Sequence, residues 1–347
     1  MNKSTATGWV SWRTVCLAMC ITILASACRK KSPPPDTPIR LGIQNNAVTS
    51  LVAIAHGKGL FKKNGIGVEL VRYPSGKLAL QGLFRGEVDV ATCADMPIVD
   101  HSFERQDFWV VSTIASTERG AWIIARRDHG IQVPADLRGK RIGTQQNSAV
   151  HFFLSMFLLY HVIPESDVTI RFYDAADLPE ALVDGQIDAF SMRNPFIAEA
   201  REKLGAKAVE FRDSIVYRQT FNLVASRRFM SENPDRVEAL LRGLLAAEKF
   251  LVAHPERARQ VAVREYGSER REEILIDWRR YRFALGLDQS LLLTMEDQAQ
   301  WARSHGRSDV QTIPNYLAYI YPYALRNVKP GAVNLMGYEQ DSQEPRQ

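Results

Sequence analysis

Leu83-Phe84-Arg85-Gly86-Glu87-Val88-Asp89 and, later in the chain, Leu182-Val183-Asp184-Gly185-Gln186-Ile187-Asp188 spell the same local structure twice. Each reads as the end of a helix, a glycine that lets the chain turn left-handed out of it, and the start of a strand. A short polar turn and a proline follow in both copies, Ala94-Asp95-Met96-Pro97 and Met192-Arg193-Asn194-Pro195. A proline there suits the first turn of a following helix. Two similar α/β halves are therefore expected, near residues 39–120 and 125–218.

The surrounding pattern agrees. Strands are expected at 39–43, 67–73 and 88–92, with helices at 51–63 and 75–85 between them, the alternation of an open sheet with parallel strands. Apolar strands recur at 108–114 and 122–125, and a fresh set starts at 141–143. Val150, Phe153, Leu154, Phe157 and Leu158 then mark the buried face of a helix. Residues 221–225 read as a strand returning to the first half. Helices follow: one from Pro234 with Val237, Leu240, Leu241, Leu244 and Leu245 on one face, then 274–283 and 291–304, all expected to pack behind the first half.

At 347 residues, 46% hydrophobic and 24% charged, the composition is that of a globular protein larger than one compact domain. The start of the chain is different. Lys3 and Arg13 flank an apolar run at 15–24, and Ala25-Ser26-Ala27 offers small residues for cleavage. The run is short for a bilayer-spanning helix, which needs about 20 residues. Leu24-Ala25-Ser26-Ala27-Cys28 resembles a bacterial lipobox, with Ala25 where leucine is usual. That resemblance implies cleavage before Cys28 and acylation of Cys28; a plain cleavable signal with an incidental cysteine is the alternative. Residues 1–27 are thus expected to be a signal peptide, and 28–38, with the run Pro33-Pro34-Pro35, an extended tether. Cys16 and Cys20 leave with the signal, so Cys93 stands alone in the mature body and no internal disulfide is expected. The net charge falls from +5 to +3 when Lys3 and Arg13 are removed. That is too weak and too scattered for nucleic acid and favours, mildly, an anionic ligand.

Several segments carry a family resemblance: Ala55-His56-Gly57-Lys58-Gly59-Leu60-Phe61-Lys62-Lys63-Asn64-Gly65-Ile66, Gly86-Glu87-Val88-Asp89-Val90, Leu137-Arg138-Gly139-Lys140-Arg141-Ile142-Gly143, Gly185-Gln186-Ile187-Asp188-Ala189 and Ala225-Ser226-Arg227-Arg228-Phe229. Pro314-Asn315-Tyr316-Leu317 and Val328-Lys329-Pro330-Gly331-Ala332-Val333 extend it to the tail. In this order the mature chain resembles the sulfonate, taurine, nitrate and thiamine-precursor binding proteins of ABC importers. The resemblance implies the type II periplasmic-binding-protein fold: two α/β lobes with a ligand cleft between them, lobe 1 from 39–120 and 221–347, lobe 2 from 121–220. It implies a monomer that captures a small molecule and delivers it to permease and ATPase subunits, held to a bacterial membrane by its lipid. A ligand-sensing protein is the alternative, and a relative of the thiamine-pyrimidine synthases a further one, although their cysteine-rich stretch is missing.

In such a protein the ligand-binding residues lie on loops at the carboxyl ends of strands. In lobe 1 these are Gln44, Asn45 and Asn46, Ser75 and Gly76 at a helix start, Asp95, and Glu118 and Arg119 near the crossover. In lobe 2 they are Asn147, Ser148 and Ala149 at a helix start, His151 in its first turn, and Arg193 and Asn194. Two helix N-termini facing one cavity favour an oxyanion. Many relatives carry Trp-Asp-Pro or Trp-Glu-Pro where this chain has Met192-Arg193-Asn194-Pro195; a cation in place of an acid turns the preference toward anions. No nucleophile elbow, P-loop, His-Glu-x-x-His or Cys-x-x-Cys motif is present, and the histidines lack ligand spacing. No catalysis, cofactor or metal is expected.

Overall fold

A computed structural model of the chain describes residues 37–213, 216–267, 271–307 and 311–337. The expected signal peptide, Cys28 and nearly all of the tether lie outside them. Ten strands matter here: β1 (Ile39–Gln44), β2 (Val68–Tyr73), β3 (Val90–Ala94), β4 (Phe108–Thr117), β5 (Trp122–Arg126), β6 (Arg141–Thr144), β7 (Thr169–Phe172), β8 (Ala189–Met192), β9 (Ala208–Phe211) and β10 (Gln219–Ser226). They form two five-stranded sheets, in the orders β2-β1-β3-β10-β4 and β7-β6-β8-β5-β9.

The two sheets are copies. β1 pairs in parallel with β2 and β3, as β6 does with β7 and β8. The sheets are mixed rather than wholly parallel, because the fourth strand of each arrives from the other lobe and runs antiparallel to its neighbours: β10 between β3 and β4, β5 between β8 and β9. Two connectors, one between β4 and β5 and one between β9 and β10, therefore join the lobes.

The repeated heptad explains why. Gly86 (φ 74°) and Gly185 (φ 71°) leave their helices left-handed, and Glu87 N–H and Gln186 N–H close the turns on Gly82 O and Ala181 O at 2.9 Å each. The aspartate ending each heptad then grips the arginine of the adjoining strand. Asp89 accepts from Arg40 N–H at 2.8 Å and from its guanidinium at 2.8 Å; Asp188 accepts from Arg141 N–H at 2.9 Å and its guanidinium at 2.7 Å. Two residues further along the strand, Gly42 and Gly143 leave room for the heptad's apolar residue: an added Cβ would stand 3.2 Å from Val88 and 2.6 Å from Ile187.

One apolar core fills lobe 1 and its C-terminal helices, and another fills lobe 2. Three helical expectations change. The 51–63 helix breaks into Ser50–Gly57 and Leu60–Lys63, because Gly59 adopts a left-handed φ of 63°. The 274–283 helix spans Arg271–Trp278, and the chain beyond it pairs along β4, bridging Arg282 to Ser116 and Gly286 to Thr113. The Gln289–Ser304 helix does not pack wholly behind lobe 1. Leu291, Leu292, Met295 and Ala299 enter the first core, but Trp301 enters the second, where its indole donates to Ser155 Oγ at 2.8 Å. Among the described residues no helix is long and apolar enough to cross a membrane.

Candidate functional site

The carboxyl ends of strands from both sheets open onto one cleft of about 770 Å³. Of the residues singled out by sequence, Gln44, Asn46, Ser75, Gly76, Arg119, Asn147, Ser148, Ala149, Arg193 and Asn194 line it.

On the lobe 1 side the wall is pre-set by its own hydrogen bonds. Gln44 donates through Nε2 to Asn46 Oδ1 at 3.0 Å and accepts Gly76 N–H on Oε1 at 2.7 Å. Ser75 caps the Gly76–Phe84 helix by accepting Leu78 N–H at 3.3 Å. Gly76 is obligatory by space: a Cβ there would stand 2.9 Å from Cys93 Cα and 3.1 Å from Thr92 O. The first-turn N–H groups at Gly76 and Leu78 are thus already bonded within the wall.

On the lobe 2 side, Asn147 takes a left-handed φ of 50°, tolerated by asparagine. It brings Ser148 to the start of the Ala149–Tyr160 helix, where Ser148 Oγ accepts His151 N–H at 3.4 Å and donates to Gln145 O at 2.6 Å. Arg193 leaves β8 into the cleft. It is solvent-exposed in the open cleft, yet crowding by protein holds its pKa below the ordinary arginine value, against a small opposing effect of Tyr281; guanidinium stays charged at any physiological pH. Beside it, Asn194 Oδ1 is buried with no hydrogen-bond partner among the described residues.

Charge is one-sided. Lys77, Arg119 and Arg193 line the cleft and have no acidic partner among the described residues, while the carboxylate that does line it, Asp100, is held by Arg307 at 2.9 Å. Such a cleft attracts anions and repels cations.

Four singled-out residues lie elsewhere. Asp95 is fully buried and committed to structure: it accepts from Tyr217 Oη at 2.6 Å, Met96 N–H at 2.8 Å, and Thr220 N–H and Oγ1 at 2.8 and 3.2 Å. It ties the end of β3 to the second connector. Burial raises its pKa, with those donors opposing. His151 lies behind the cleft wall, 2% exposed, among Phe172, Trp301 and His305. The Asn45 side chain accepts from Arg72 at 2.6 Å, and Glu118 is an exposed connector residue. Neither is part of the lining.

Sequence reasoning missed other lining residues: Lys77, Gln219, Phe221, Arg280, Tyr281, Trp301, His305 and Arg307. Arg280 and Tyr281 reach the cleft because the helix stops at Trp278, and the cluster Arg279-Arg280-Tyr281-Arg282, poorly suited to an apolar helix face, was the available signal. Cys93, in β3, is buried, and burial followed by the Asp95 charge pushes its thiol pKa far up, leaving it inert.

Comparison with known proteins adds four findings. The family model "NMT1/THI5 like" matches residues 46–258. A Bacillus subtilis (strain 168) protein named for aliphatic sulfonate binding is 28% identical over 207 residues, 59% of this chain and 62% of that protein, so the chain spans under two thirds of that relative. Among solved structures, the periplasmic aliphatic sulphonate binding protein SsuA from Escherichia coli superposes with a TM-score of 0.67 at 17% identity, covering 89% of this chain and 97% of that one. The periplasmic nitrate-binding protein NrtA from Synechocystis PCC 6803 gives 0.60 at 13%, covering 85% and 89%. At such identities the structural likeness establishes the two-lobed fold.

Proposed function

The chain belongs to the NMT1/THI5-like family, and on that premise we propose that it is an extracytoplasmic solute-binding protein of an ABC importer, not an enzyme. Its cleft captures a small anionic solute of the sulfonate, carboxylate or nitrate type, the lobes close over it, and the closed form docks on the permease. Lobe 1 comprises residues 39–120 and 221–347, lobe 2 residues 121–220, and Cys28 carries the lipid that holds the protein to the membrane. The observation that carries this reading is the interlobe cleft in which Arg193, Arg119 and Lys77 face no acidic partner among the described residues. Relatives named for sulfonate and nitrate binding support it.

The test is a thermal-shift panel on the purified full chain in detergent, with alkanesulfonates, nitrate, carboxylates and a pyrimidine. A dose-dependent rise in Tm with at least one anion, and none with a cationic pyrimidine, is expected. No shift with any anion rejects the reading. Anchoring is checked separately: Cys28→Ala should release the protein from the membrane fraction and abolish palmitate incorporation.

A further inference from the structure

Closing a cleft strips water from every charge that lines it, so the charge of the guest has to answer that of the walls. Three cations without carboxylate partners among the described residues line this cleft. They come from three parts of the scaffold: Lys77 from the first turn of the Gly76–Phe84 helix, Arg119 from the first connector, and Arg193 from the turn after β8. A singly charged guest would satisfy one and leave the others shut away from water without a counter-charge. Arginine also grips acidic groups bidentately, so Arg119 and Arg193 each fit a whole carboxylate or sulfonate rather than a shared oxygen. Phe221 and Tyr281 add apolar surface for a carbon skeleton, and about 770 Å³ is room for an organic molecule far larger than a bare inorganic ion.

We propose that the solute is an organic dianion, two acidic groups on one small skeleton, and that Arg119 and Arg193 select for the second charge. This rests on the solute-binding reading above and narrows it.

The test uses the full chain in detergent and matched probes that differ by one acidic group: ethanesulfonate against ethane-1,2-disulfonate, propionate against succinate, benzoate against terephthalate. By calorimetry at low salt, the dianion of at least one pair should bind about tenfold or more tighter than its monoanion. Raising the salt to about 0.3 M should shrink that ratio, because screening acts more strongly on the doubly charged probe. Arg119→Met and Arg193→Met should each cut the dianion's advantage to within about threefold while changing monoanion affinity less. Monoanions binding as tightly as their dianions in every pair, or variants that keep the full advantage, would overturn the inference and leave the solute-binding reading standing. Probes that all fail to bind folded protein overturn both. Should either variant fail to fold, the affinity ratio of the unaltered chain and its salt dependence decide alone.

Discussion

His151 occupies the first turn of a helix whose start lines the cleft, yet its ring is 2% exposed and neither ring nitrogen has a hydrogen-bond partner among the described residues. Burial, then the neighbouring His305, push its pKa down to about 4, with Glu165 opposing. In the unfolded chain the imidazole titrates near 6.5. Between about pH 6.5 and 4 the unfolded state therefore binds the extra proton, and stability falls as pH drops through that window, by up to about 3 kcal/mol. Above it both states are neutral and the effect vanishes. His151→Phe keeps the aromatic contacts to Phe172 and Trp301 and removes both the titration and an orphaned polar ring, whose burial costs about 1–3 kcal/mol. The variant should melt higher than the parent at pH 5 and show a flatter Tm-versus-pH curve, followed by circular dichroism. A slope unchanged from the parent would contradict this account.

At the scale of elements, the Gln289–Ser304 helix behaves as a third link between the lobes. Its earlier turns sit in the first core, while Trp301 and the residues just beyond it hold lobe 2: the indole donates to Ser155, and His305 Nε2 lies 2.9 Å from Glu165 Oε2. Arg307 then returns to Asp100 and Glu104 of lobe 1. A double-mutant cycle of Trp301→Phe and Ser155→Ala should give a coupling of about 1 kcal/mol in urea unfolding, the worth of one buried hydrogen bond. A coupling near zero would mean the helix is held by packing alone. That link was not legible in the sequence, where Trp301 is one more apolar residue on a helical face. The strands and the helices between them were legible, because a glycine turn and the next strand are written in adjacent residues, as Gly86 and Gly185 show. Asp95 stands in a polar turn at a strand end, where the sequence alone marks a ligand group; its partners Tyr217 and Thr220 lie far along the chain, and only the tertiary structure reveals that they consume its carboxylate. Arg280 and Tyr281 reach the cleft because the helix ends at Trp278 and the chain beyond it bridges to β4 at Arg282 and Gly286, a placement that the cluster at 279–282 only hints at.

At the scale of the whole molecule, two sheets of identical strand order exchange one strand each, and the segments joining them are the natural hinge. Each lobe has its own core, and the proposed closure would move each as a body about the connectors. The second connector is braced where it crosses, Tyr217 donating to Asp95 and accepting from Gln298 at 3.0 Å, and in the first the Arg119 N–H donates to Thr117 Oγ1 at 3.0 Å. A guest held by both jaws must slow amide exchange in both at once. Hydrogen exchange with the tightest-binding anion should therefore protect the lobe 1 segments 44–46 and 75–78 together with the lobe 2 segments 145–152 and 193–197, while the helix Pro234–Ala253, remote from the cleft lining, stays unchanged. Protection confined to one lobe would place the solute on a single wall and reject the proposed closing of two lobes over it.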